Sequence, residues 1–441
     1  MVLLPVSTGL LLLLLNAIPG SLGAATVRKD YLYSDEVESN LGRDGIVEGD
    51  IVLSNDQLAE IQDQDQESGK RVKRQITKIW KKWPNGKVYY YFDSAVSSIK
   101  QQLIRNAMSY ISSLTCVTFE ESTTATNRIK FLNTGGCASY IGMNGGEQSL
   151  WFGDGCEIFG TAVHEIMHTL GIFHTHSRYD RNDYLIVNLT GVPENMVSNL
   201  AMETSSSTYN AVPFEYGSTM QYRYNTWGDG TLFPKQSMYQ KTMGIRKVSF
   251  YDIVNINSRY SCSCSTTLNC ENGGYTNPAN CSTCICPSGF GGDLCNTSPP
   301  NSIKLTATTS WKGYWVSFGY SSQVLTTNFY QTTMYITAPA DKTIQIKIID
   351  MTDFTCAYGC NYNGVEIKYM GDPRIMNPLF CCQTDSGVLN TVYTAKINPV
   401  PIVLHQRYGS SKVTVAYRYL DKALSDNAKG TNGYDDYQYY Q

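Results

Sequence analysis

Three histidines fall within the run His164-Glu165-Ile166-Met167-His168-Thr169-Leu170-Gly171-Ile172-Phe173-His174, and no other stretch constrains the fold so tightly. His164 and His168 are four apart, so on a helix they share one face, about 6 Å along the axis. Gly171 can end that helix in a left-handed conformation. The chain then turns and brings His174 back to the same point. Three neutral imidazoles can bind one zinc ion at about 2.0–2.1 Å and leave a fourth position open for water, the mark of a catalytic site. Glu165 follows the first ligand and points beside the metal, where it can take a proton from that water. H-E-x-x-H alone is a weak signal, but its extension to a third His through Gly171 is strong. The chain holds five His, and three lie here. The other two, His176 and His405, read as structural.

The remaining composition places the chain. Its 441 residues suggest two to four folded units. A net charge of −3 with no charge-skewed half argues against a nucleic-acid partner. The apolar stretch from Val2 through the leucine run Leu10 to Leu15 precedes the small residues Ser21, Gly23 and Ala24, which reads as a signal peptide over 1–23. No later segment reaches a membrane-spanning length, so the expectation is a secreted, extracellular protein. All 14 cysteines lie between Cys116 and Cys382, an even count that reads as disulfides in an exported chain. Asn188, Asn280 and Asn296 head glycosylation sequons.

Residues 24–74 are polar, acidic and poor in aromatics, and end in Arg71-Val72-Lys73-Arg74. This basic tetrapeptide suits a subtilisin-like processing protease, so 24–74 reads as a propeptide cleaved after Arg74. From Trp83 the character changes. Lys87 to Phe92, Val117 to Phe119 and Ile129 to Leu132 have strand composition. Ser97 to Leu114 places Ile99, Leu103, Ile104, Ala107, Met108 and Ile111 at helical spacing. This region is mixed α and β. Residues 263–295 carry six cysteines in a stretch too short for a core. From Ser302 to Tyr419 short alternating runs, such as Ile344, Ile346 and Ile348, predict an all-β sandwich. The tail from Asp421 reads as disordered.

Taken together, the run from His164 to Tyr184 and the segment Ser218-Thr219-Met220-Gln221-Tyr222 resemble the astacin family of metzincin zinc proteases over about 75–262. The resemblance implies an α+β catalytic domain with one zinc ion. It places Met220 in a turn beneath the three imidazoles and makes Tyr222 a donor to the oxyanion of the transition state. Val47-Glu48-Gly49-Asp50 resembles the family's F-x-G-D propeptide segment, implying that Asp50 ligates zinc and silences the precursor. The family usually has Glu after the third His, where it engages the new N-terminus. Here that position is Thr175, and cleavage would leave Gln75 first, so no such ion pair is expected. The implied bridges are Cys116–Cys262 and Cys137–Cys156, and the strand around Ser139-Tyr140 would take up substrate backbone as an added strand.

Residues 263–295 resemble an EGF-like module, which implies Cys264–Cys281, Cys270–Cys284 and Cys286–Cys295. Residues 302–420 resemble a CUB domain, with the connectivity of Cys356, Cys360, Cys381 and Cys382 left open. The expected function is a secreted zinc metalloendopeptidase made as a zymogen and acting on extracellular proteins, with its EGF-like and CUB modules binding substrate or matrix. The alternative is a catalytically silent matrix-binding protein.

Overall fold

The computed structural model describes residues 46–54, 57, 76–77, 80–205, 208–228 and 230–422. The expected signal peptide, Arg74 and the tail beyond residue 422 lie outside them.

A seven-stranded sheet runs in the order Ile46–Val47, Ile51–Val52, Cys137–Tyr140, Glu147–Phe152, Arg128–Leu132, Lys87–Phe92, Thr118–Glu121. Helix α1, Ser98–Leu114, opens on the Ser97 side chain, which accepts from Lys100 N. Its buried stripe is Lys100, Leu103, Ile104, Ala107, Met108 and Ile111. Ile99 was expected on this stripe but is 75% exposed. Lys100 takes the place because it, not Ile99, lies three and four residues from Leu103 and Ile104. Its buried ammonium is matched by Asp154 at 2.8 Å and Glu157 at 2.9 Å.

Helix α2, Phe159–Thr169, packs on α1, with every residue from Gly160 to Thr169 buried. A side chain at Gly160 would collide with the Arg246 carbonyl, so glycine lets segment 244–246 lie directly on the helix. Helix α3, Phe250–Tyr260, begins with a capping box between Ser249 and Asp252. The apolar core lies between the sheet and these helices and includes Phe131, Phe152, Val163, Ile166, Met167, Met220 and Ile253.

The stretch that follows is held by three disulfides, Cys264–Cys281, Cys270–Cys284 and Cys286–Cys295, around a small hairpin of Tyr275–Thr276 and Cys284–Ile285. Beyond it, a five-stranded and a four-stranded sheet face one another across a core that includes Ile344, Ile346, Ile348, Val365, Ile402, Leu404, Val413 and Val415. The alternation read from 344 to 348 is inward for isoleucine, with Lys347 on the outer side. The last strand is Ser410–Asp421. The bunched cysteines pair as Cys356–Cys382 and Cys360–Cys381, and Cys116–Cys262 and Cys137–Cys156 close the first region. Among the described residues no helix is long and apolar enough to cross a membrane.

Candidate metal centre

Helix α2 supplies His164 and His168 on one face. Its end is a glycine turn. Gly171 has φ +92°, its N–H donates to His168 O (2.8 Å), and Ile172 N–H donates to Met167 O (3.0 Å). The chain reverses there and places His174 against the other two. The three Nε2 atoms are 3.1, 3.2 and 3.3 Å apart, and all three residues are fully buried.

The outer nitrogens fix the protonation of the rings. His164 Nδ1 lies 2.8 Å from Thr219 O, and His168 Nδ1 lies 2.7 Å from Ile172 O. A carbonyl can only accept, so each Nδ1 carries a proton, and Nε2 is the nitrogen each ring can offer to a metal. His174 Nδ1 faces the Glu48 carboxylate at 2.9 Å, which has the same effect. Three Nε2 atoms thus converge on one point, and the Asp50 carboxylate joins them at 3.0 Å from His164, 3.3 Å from His168 and 3.1 Å from His174. Such a set is repulsive without a cation. Tetrahedral ligands about 2.0–2.1 Å from zinc would lie about 3.3–3.4 Å apart, close to these separations. The donor set therefore fits a single zinc ion.

Without metal, protons answer the same field. Burial alone would lower His174, but the Asp50 and Glu48 carboxylates outweigh it and raise its pKa to about 9. Burial pushes His168 down to about 3. Burial would raise Asp50, yet the three imidazoles hold its carboxyl well below the usual range.

Asp50 reaches the centre from a hairpin. Ile46–Val47 pairs with Ile51–Val52 across Glu48, Gly49 and Asp50, with Glu48 at φ +54° and Gly49 at φ +96°. Ile51 and Val52 then pair in parallel with Ser139 and Tyr140, and Ser139 N–H donates to Asp50 O at 3.0 Å. The edge expected to take substrate is thus covered by residues preceding Arg74. Tyr222 is buried, its ring lies tilted 4.6 Å from that of His174, and it donates its hydroxyl to Asp50 Oδ2 at 2.6 Å. Glu165 is fully buried on α2. Met220 is buried in the core shared with Ile166 and Met167, and its carbonyl accepts from Thr175 N–H at 2.9 Å.

His176 is also buried, 5.1 Å from the rings of His174, Tyr222 and Trp227, and burial holds its pKa well below the usual value. His405 lies far along the chain, buried, with Nε2 3.0 Å from Cys360 O, consistent with a structural role. Asn280 and Asn296 are exposed and Asn188 is half-buried. Two contributors were not anticipated from sequence. Glu48 was visible only as the neighbour of Asp50. Arg246, whose Nη1 donates to Thr219 O at 3.0 Å, carried no motif at all.

Comparisons with known proteins agree with this chemistry. Residues 75–261 match the astacin peptidase family. The chain is 64% identical over 434 residues to zinc metalloproteinase nas-17 of Caenorhabditis elegans, covering 98% of this chain and 99% of that one. It is 46% identical over 388 residues to zinc metalloproteinase nas-16 of the same organism, covering 84% and 86%. Among solved structures, high choriolytic enzyme 1, a hatching enzyme zinc-protease from the medaka Oryzias latipes, is 30% identical, covers 42% of this chain and 94% of its own, and gives a TM-score of 0.39. With a near full-length relative at this identity and a buried three-histidine centre suited to zinc, the chain belongs to the astacin family of zinc metalloendopeptidases.

Proposed function

We propose that this enzyme is secreted as a zymogen, that His164, His168 and His174 hold its zinc, and that it hydrolyses peptide bonds in extracellular proteins once the segment ending at Arg74 is removed. The observation that carries the reading is the meeting of three Nε2 atoms, the Asp50 carboxylate and the Tyr222 hydroxyl at one buried point.

In this reading Asp50 would complete the ligand set of the zinc and keep water and substrate away. Glu48 supports it by engaging the outer nitrogen of His174. Cleavage after Arg74 by a subtilisin-like protease lets the 46–54 segment leave and frees the Ser139–Tyr140 edge for substrate backbone. Bound zinc would supply an acidified water and a polarised scissile carbonyl. Glu165 takes the proton from the attacking water and delivers it to the leaving amine. Tyr222, released from Asp50, donates its hydroxyl to the carbonyl oxygen as negative charge builds there. Met220 packs beneath the imidazoles. Export follows from the apolar leader at 1–23, and oxidised cysteines suit that compartment. The 263–295 stretch acts as an EGF-like module and the sandwich as a CUB-like module, together docking substrate or matrix; Asn188, Asn280 and Asn296 carry the glycans.

The test is casein or gelatin cleavage by protein processed at Arg74. Activity is expected to disappear with a zinc chelator and to fall about 100-fold or more in Glu165→Ala. Equal turnover by wild type and the Ala variant would show the mechanism to be wrong.

A further inference from the structure

The C-terminal sandwich reaches the metal centre through a short chain of hydrogen bonds. Asn361 lies at its near edge and is fully buried. Its side chain pairs with segment 244–246 as a neighbouring strand would. Oδ1 accepts from Arg246 N–H at 2.7 Å, and Nδ2 donates to Gly244 O at 2.8 Å. The Arg246 side chain continues inward, and its Nη1 donates to Thr219 O at 3.0 Å. That same carbonyl accepts from His164 Nδ1 at 2.8 Å. The Arg246 carbonyl is meanwhile pressed on Gly160 of α2, the helix that carries His164.

We infer that Asn361 is a positioning residue for His164, acting through Arg246 and the Thr219 carbonyl, so that the sandwich helps to set how tightly the enzyme holds zinc. The direction of a histidine lone pair follows from the hydrogen bond on its other nitrogen, and loss of such an outer partner typically costs about 10–100-fold in metal affinity. The Thr219 carbonyl is oriented from two sides. Arg246 binds its oxygen, while Asp252 accepts from Thr219 N–H at 3.0 Å and from Ser218 Oγ at 2.6 Å. Asp252 is on the protease side. Arg246 has its main chain fixed from the sandwich side, by Asn361. A loosened Arg246 backbone moves the guanidinium, and with it the carbonyl that sets the His164 ring.

This inference rests on His164 being a zinc ligand, and the experiment separates the two. Zinc-loaded full-length protein is mixed with a colorimetric chelator and the release rate is followed. Wild type should carry one zinc per chain and His164→Ala should not; zinc retained in full by His164→Ala would sink the ligand assignment itself. With that assignment standing, Asn361→Ala should release zinc about 3–10-fold faster and Arg246→Met about 10-fold faster or more. The double variant should be no faster than Arg246→Met alone, because one path cannot be cut twice. Tyr358→Ala is the control for docking alone. Tyr358 stacks on Tyr224, with ring centroids 5.0 Å apart, across the same interface. It should lower the unfolding temperature and leave zinc release unchanged. Wild-type release from Asn361→Ala, additive rates in the double variant, or equally fast release from Tyr358→Ala would each overturn the inference. Should Asn361→Ala not fold, Arg246→Met decides alone, since it keeps both Asn361 contacts to the main chain; unaltered release from it overturns the inference.

Discussion

Replacing Tyr222 by Phe removes one oxygen and should impair latency and catalysis together. The hydroxyl donates at 2.6 Å to Asp50 Oδ2, and both side chains are buried. Burial alone would raise Asp50, but the surrounding imidazoles hold its carboxyl well below the usual range, so the acceptor is charged. A neutral donor on a charged acceptor contributes about 1.5–3 kcal/mol. At about 1.4 kcal/mol per tenfold, the hold on the 46–54 segment should weaken about 10–150-fold. In processed enzyme the same oxygen is the proposed oxyanion donor, and loss of one such donor lowers kcat about 100–1,000-fold. The assay is inhibition of processed wild type and Tyr222→Phe by a synthetic peptide spanning residues 46–57, with kcat and KM measured on a fluorogenic peptide. The expected outcome is an inhibition constant raised about 10–150-fold and a reduced kcat, with KM little changed. An inhibition constant within twofold of wild type would refute the assigned share of the hydrogen bond. An unchanged kcat would refute the role in turnover.

Three further outcomes are expected. Asp50→Ala in the full-length chain should give measurable peptidase activity without cleavage at Arg74, and continued silence would remove Asp50 as the inhibitor. Gly171→Ala should lower stability by about 2–3 kcal/mol, because φ is +92° and a Cβ would come within 2.7 Å of Arg259 Nε; thermal unfolding at wild-type temperature would contradict this. Glu215 is raised to about 8 by burial first and by the nearby Asp252 charge second. The folded state therefore keeps a proton that the unfolded chain gives up near its ordinary value of 4.5, so stability present below that pH is lost as pH rises through about 8. Glu215→Gln should flatten the fall in unfolding temperature across this window, and an undiminished slope would count against it.

The fold was legible where burial is periodic. Ile344, Ile346 and Ile348 alternate with polar residues and do face a sandwich core, and the 97–114 pattern is a helix with its stripe inward. Ile99 misled because apolarity at the first turn says little about which side is buried. The stripe is set by the whole helix, and Lys100 could join it only because Asp154 and Glu157, more than fifty residues away, neutralise its charge. Nothing local to Lys100 announces that partnership.

The metal centre divides along the same line. His164, His168, Gly171 and His174 were legible because their geometry is built by one helix and one turn, whose spacing is written in consecutive residues. Glu48 was half legible, being two residues from Asp50 in a hairpin that aims both carboxylates inward. What orients the histidines was not legible at all. His164 and His168 are fixed by the main-chain carbonyls of Thr219 and Ile172, and a carbonyl is the same whatever side chain its residue bears. Arg246 holds one of these carbonyls from 27 positions away along the chain, and Asn361 binds the Arg246 N–H from 115. Contacts made to main-chain atoms across such separations leave no residue preference at one end and no periodicity in between. A motif therefore identifies the atoms that meet the metal, while the precision with which they meet it depends on partners that only the folded chain brings together.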